Sequence, residues 1–280
     1  MNRRRFLAAT ASTTALFLAG HSALGQGRRA PTYRGPEDPR ILHLELETAA
    51  ALEGLKRFYV DTLELAVVSE SAAALTLQAG RSTLTFRAPT KGGSGGEPTY
   101  HFAFNIPENQ IFEARRWQLE RTPLLERPAD AYSHADYVDV TDFWHWNAHS
   151  VFFEDPAGNL LEHIARHDLD NASQKPFSGK SLLYISEIGL VADDVPALGK
   201  AVQEATGLDL YYAGGDRFRA YGDPNGLVLG LQGGIPRWSD LAPWEAHKTV
   251  ATLRDIRPYR GSEHPFRLSA PSESRNGPRQ

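Results

Sequence analysis

Three residues of this chain pair donor chemistry with regular local patterns: His43 in ILHLELET (41–48), His101 in YHFAFNI (100–106) and Glu162 in HSVFFEDPAGNLLEHI (149–164). The last stretch reads as strand, tight turn, strand, and a carboxylate in a strand is costly to bury unless it is paired, hydrogen-bonded or bound to a cation. Strand parity does not choose between Glu162 and its neighbour His163, because Leu160 and Leu161 make both faces partly apolar. Two imidazole nitrogens and one carboxylate on a single face would leave positions open for substrate or water. That donor set is associated with Fe(II) and Mn(II) and tolerated by Zn(II) or Ni(II). The chain has no cysteine, so thiolate nucleophiles, disulfides and Cys-ligated zinc or iron–sulfur sites are excluded.

No short motif links the three residues, so the fold must bring them together. In ILHLELET, Leu42, Leu44 and Leu46 alternate with His43, Glu45 and Glu47, the pattern of a half-buried strand. AALEGLKRFYVDTLEL (50–65) follows as an amphipathic helix, then short strands at AVVSE, ALTLQA and STLTFRA. After the glycine stretch 92–96 the order returns: YHFAFNI as strand, ENQIFEARRWQLERT as helix, then DYVDVTDF, HSVFFED and NLLEHIAR. A third, diverged copy runs through SEIGLVADD, the helix VPALGKAVQEAT, LDLYYAG, RFRAYGD and GLVLGLQGG, with TVATLRDI closing it. DPAGN (155–159) and DPNG (223–226) occupy the same turn in copies two and three. The fold class expected is therefore α+β, built from repeated βαβββ modules. Copies one and two are expected to pair as residues 41–168 into an eight-stranded, cup-shaped mixed sheet, which would bring His43, His101 and Glu162 to its centre. Residues 180–258 form a third module and 259–280 a flexible tail.

The ends of the chain and its charge narrow the setting. Residues 1–25 carry Arg3, Arg4 and Arg5, a mildly apolar stretch and a small-x-small ending at Ala23-Leu24-Gly25, the three-part order of a signal peptide. RRRFL resembles the twin-arginine export signal, which implies a periplasmic or extracellular protein exported already folded. Residues 26–40 read as a Pro/Gly-rich linker. The apolar part of the signal is too short to anchor the mature chain in a membrane. A net charge of −4 and a pI near 6.2 leave no basic stripe for phosphates, so a small molecule rather than nucleic acid is the expected partner.

HLELET with FYVDTLEL, YHFAFNI, and above all HSVFFEDPAGNLLEH resemble the vicinal oxygen chelate superfamily, which includes glyoxalases, bleomycin-binding proteins and extradiol dioxygenases. The resemblance covers residues 41–166 well and 186–234 more weakly. It implies metal ligands at His43, His101 and Glu162, and it selects Glu162 over His163. It also implies a substrate bound through adjacent oxygens. Two departures disfavour familiar activities: STLTFRA lacks the fourth carboxylate ligand of the usual glyoxalases, and Phe152 stands about where extradiol dioxygenases carry a Tyr. The expected function is an exported metalloenzyme, the alternative a metal-free binding protein of the bleomycin-sequestering type.

Around that set, Glu45 shares a strand face with His43, and His149 follows the aromatic run DFWHW, so both are candidates for acid–base work. Trp144, Trp146 and Phe152 are candidates to wall the substrate cleft. Copy three has Ile188, Leu190, Leu229 and Leu231 at the positions matched to ligands, so it is expected to be structural, covering a sheet edge or forming a contact in a homodimer.

Overall fold

In the computed structural model, residues 39–89, 97–127, 130–236, 241, 243–254, 258–260 and 266–271 are described. The expected signal segment, nearly all of the linker and the glycine stretch lie outside them. Among the described residues no helix is long and apolar enough to cross a membrane.

The first module supplies β1 (Ile41–Glu47), α1 (Leu52–Arg57), β2 (Ala66–Ser71), β3 (Ala74–Ala79) and β4 (Ser82–Arg87). Its helix ends in a π-helical turn, Phe58–Thr62, closed by Leu63 N–H donating to the Phe58 carbonyl at 3.1 Å. The second supplies β5 (His101–Ile106), α2 (Ile111–Leu119), β6 (Thr141–Phe143), β7 (Ala148–Glu154) and β8 (Leu160–Arg166). The third supplies β9 (Tyr184–Ala192), α3 (Val195–Thr206), β10 (Leu210–Ala213), β11 (Phe218–Asp223) and β12 (Gly226–Gln232). After these come β13 (Thr249–Leu253), β14 (Tyr259–Arg260) and β15 (Phe266–Ser269). Helix α3 shows why the local pattern was readable: Asp194 caps it by accepting from Ala197 N–H at 2.8 Å, a proline sits in its first turn, and Gly207 at φ 79° ends it.

The fold class is the expected one: α+β, rich in strands, with a curled eight-stranded sheet. The pairing of modules differs from the expectation. The eight-stranded sheet has the order β10-β11-β12-β9-β5-β8-β7-β6, which joins copy two to copy three, with β5 and β9 antiparallel at its centre. Copy one lies in a second, seven-stranded sheet of order β14-β15-β13-β1-β4-β3-β2. Residues 41–168 are thus not one paired unit, and β13 leaves the third module to pair with β1. Nor is 259–280 wholly a tail, since β15 joins that second sheet and buries Phe266 and Leu268.

Burial explains the partners. β5, β8 and β9 are buried along their whole length, as central strands covered on both faces must be. β1 keeps His43, Glu45 and Glu47 half-exposed on one face and buries Leu44 and Leu46 on the other, and β13, with Val250 and Thr252 half-exposed, matches it. The two sheets share one apolar core and meet at the turn before β4. There Gly80, at φ +57°, lies so close to the Leu183 carbonyl that a Cβ would stand 2.0 Å from its oxygen. Arg81 N–H donates to the same carbonyl at 2.8 Å.

Candidate metal centre

Helices α2 and α3 cover one face of the eight-stranded sheet, and the polar cluster lies on the other. Glu162 and His163 point to opposite faces. His163 points toward α2, where its Nε2–H donates to Gln118 Oε1 at 2.9 Å and its ring lies 4.7 Å from that of Phe153. Burial pulls its pKa down to about 3, so it sits neutral among aromatic rings. Glu162 points the other way, sharing its side of the sheet with Phe152, its cross-strand partner on β7.

On that helix-free face, His101, Glu162 and Glu187 each offer a ligand atom, and these atoms all lie within 4.8 Å of one another. His101 Nε2 stands 3.4 Å from Glu162 Oε2 and 3.7 Å from Glu187 Oε2. All three side chains are buried. Donors held at 2.0–2.2 Å from one ion at near-tetrahedral or octahedral angles stand roughly 3.0–3.5 Å apart, so the two separations from His101 are close to that range.

Each ligand atom is aimed by a contact at its other end, as second contacts orient metal ligands. His101 Nδ1 lies 3.1 Å from the Leu160 carbonyl, and since a carbonyl only accepts, Nδ1 carries the proton and Nε2 is left as the donor atom. Ser150 Oγ donates to Glu162 Oε1. Arg166 Nη2 donates to Glu187 Oε1, leaving Oε2 toward the cluster. Burial and the nearby Glu187 push the Glu162 carboxyl well above the usual carboxylate range. Burial works against charge on His101, but Glu187 and Glu162 outweigh it and raise its pKa. The donor set, its aim and its excess of negative charge fit a divalent cation.

The sheet registers account for the number of donors in the group. Glu162 lies opposite Ala103, two residues beyond His101. By the same spacing Leu229 lies opposite Gly189, two residues beyond Glu187. The fourth position is therefore an apolar side chain, and three donors remain.

His43 is not part of this group. It occupies the corresponding place in the seven-stranded sheet, where its Nδ1 contacts Thr83 Oγ1 at 2.8 Å. Within that sheet the position matching Glu162 is Thr85 and the one matching Glu187 is Val250, so neither of those carboxylates is repeated there, and the acidic group that acts on His43 is Glu45 of its own strand. Glu45, on the same strand, accepts from Arg87 Nη2 at 2.7 Å, which lowers its pKa and ties it to a surface pair away from the cluster's sheet. His149 alternates with Ser150 onto the opposite face of β7 from Glu162 and meets His167 Nε2 at 2.7 Å.

The aromatic candidates divide. Phe152 stacks on His101 with ring centroids 6.1 Å apart, and Trp146 lies beneath the Arg166 guanidinium, whose carbon is 5.5 Å from its ring centroid. Trp144 is 66% exposed, with its ring 5.2 Å from that of His145. Trp244, between β12 and β13, packs 6.3 Å from His101 and was not anticipated. Neither were Glu187 and Arg166, although one signal was present: SEIGLVA sets a lone carboxylate in an apolar strand just as NLLEHIA does.

No protein-family model matches the chain, and no curated protein does. Solved structures do. A Bacillus subtilis protein provisionally assigned as a dioxygenase matches at 15% identity over 77% of this chain and 70% of its own, with a TM-score of 0.51. Glyoxalase I from Zea mays matches at 14% identity over 77% of this chain and 74% of its own, with a TM-score of 0.45. Lactoylglutathione lyase from Agrobacterium tumefaciens matches at 18% identity over 48% of this chain and 94% of its own, with a TM-score of 0.33. The first of these carries the fold alone.

Proposed function

We propose that the chain is an exported metalloenzyme of the vicinal oxygen chelate type, acting on a small substrate with adjacent oxygens. The observation that carries the reading is the convergence of His101 Nε2, Glu162 Oε2 and Glu187 Oε2, each aimed by a further contact, on a face with an apolar fourth position. These three residues would hold a divalent ion, Fe(II) or Mn(II) before Zn(II) or Ni(II). When bound, such an ion supplies Lewis acidity toward the substrate oxygens. The chain's own part is to fix the ligands and keep water out. Ser150 and Arg166 hold the two carboxylates, the Leu160 carbonyl sets the histidine tautomer, and Phe152, Trp146 and Trp244 wall the face.

One observation favours a metal-free binding protein instead: Arg166 compensates Glu187, and a proton shared between His101 and Glu162 would leave the cluster neutral without any cation. Metal analysis separates the readings. Protein purified after iron-, manganese- and zinc-replete expression should carry close to one metal ion per chain. Protein free of metal under all three conditions would favour the binding module.

Export is proposed from RRRFL and the apolar stretch after it. Arg3→Lys with Arg4→Lys should leave precursor in the cytoplasm without altering the folded part. Unchanged periplasmic yield of the double variant would rule that route out.

A further inference from the structure

We infer that the substrate of this centre carries a carboxylate held by Arg166 Nη1 and Trp146 Nε1, an inference that rests on the metal-centre reading above. Arg166 is 1% exposed and Trp146 6% exposed. The guanidinium spends its Nε on Asn105 Oδ1 at 3.3 Å and its Nη2 on Glu187, while Nη1 has no partner. The indole Nε1 of Trp146, whose ring lies beneath the guanidinium, has none either. A buried donor left unpaired costs about 1–3 kcal/mol, more when charged. Two such donors on side chains that pack on one another, one of them the residue that positions a ligand carboxylate, point to an acceptor brought by the ligand.

Charge selects the kind of acceptor. With a divalent ion in place and His101 neutral, Glu162 and Glu187 balance the ion and Arg166 is left in excess by one positive charge. One monoanion closes the balance in a site where uncompensated charge is expensive. A carboxylate suits the guanidinium fork and is singly charged, whereas a phosphate dianion would overshoot. An ordered water would satisfy the N–H groups but leave the charge.

Two probes with the same chelating oxygens separate these possibilities: catechol, and 3,4-dihydroxybenzoate, which adds a carboxylate. The full-length mature protein is first titrated with Mn(II), then each probe is bound to the loaded protein by calorimetry. The carboxylate probe should bind about tenfold tighter or better. Trp146→Phe, which keeps the ring and drops the N–H, should erase most of that advantage. So should Arg166→Lys, which keeps a cation beside Glu187 and loses the fork. Each variant is compared with itself, as the ratio of its two probe affinities after Mn(II) loading, with circular dichroism to report that it is folded. Equal binding of the two probes, binding of neither by loaded protein, or an advantage that survives both substitutions overturns the carboxylate site alone. Failure of the parent to take up metal overturns the reading beneath it as well.

Discussion

Glu187→Gln is expected to weaken Mn(II) binding about 100-fold or more, and Glu162→Gln and His101→Ala to do the same, while His43→Ala leaves it unchanged. The reasoning is electrostatic. Glutamine keeps the shape of each side chain and its hydrogen-bonding oxygen but removes the negative charge that a cation requires. His43 lies on the other sheet, bonded to Thr83, with Thr85 and Val250 where the cluster has Glu162 and Glu187. Equilibrium dialysis against Mn(II), with circular dichroism to show that each variant is folded, makes the comparison. The outcome that sinks the assignment is loss of metal in His43→Ala with retention in Glu187→Gln.

That contrast marks where sequence reasoning succeeds and where it stops. The four strands and helix of each module, among them the span of α3, and the terminal hairpin β7–β8 were all legible, because alternation, helical spacing and turn residues are local signals. Which module pairs with which is not local. Copy two is flanked by copies one and three in sequence, and nothing in the alternation of β1 or β5 says which neighbour its edge will meet.

The identity of the third donor was lost for a second reason. Alternation assigns faces only when one face is wet, and β9 is buried along all nine residues. Its register against β5 also shifts between Ala103 and Phe104, so counting from the first strand of another copy lands on Ile188 and Leu190 rather than Glu187. The same uniform burial left Glu162 and His163 equivalent until α2 was seen to cover one of them. Trp144 and Trp146 read alike in sequence as well, yet the short 3₁₀ turn that carries them sends one outward and the other against Arg166.

Arg166→Met should destabilise the metal-free protein by about 3–5 kcal/mol, the cost of stranding a buried carboxylate whose partner has been removed. Arg166 and Glu187 are both almost wholly buried, so solvent cannot take over the compensation, and methionine fills much of the space without offering a donor. Against a total stability of about 5–15 kcal/mol, that loss is readily seen in urea unfolding. Metal then gives the loss a diagnostic shape. An ion that binds only the folded state stabilises it in proportion to the logarithm of its saturation, by about 2.7 kcal/mol at a hundred times the dissociation constant. In the parent the ion meets two carboxylates with one of them already paired to a guanidinium. In the variant it meets both without that competing cation, so it should bind more tightly and restore more stability. The gap between parent and variant should therefore narrow as Mn(II) is raised and be widest in chelator. A gap that stays constant across the whole Mn(II) range would mean that Glu187 answers to Arg166 alone and that the cation, wherever it binds, does not touch it.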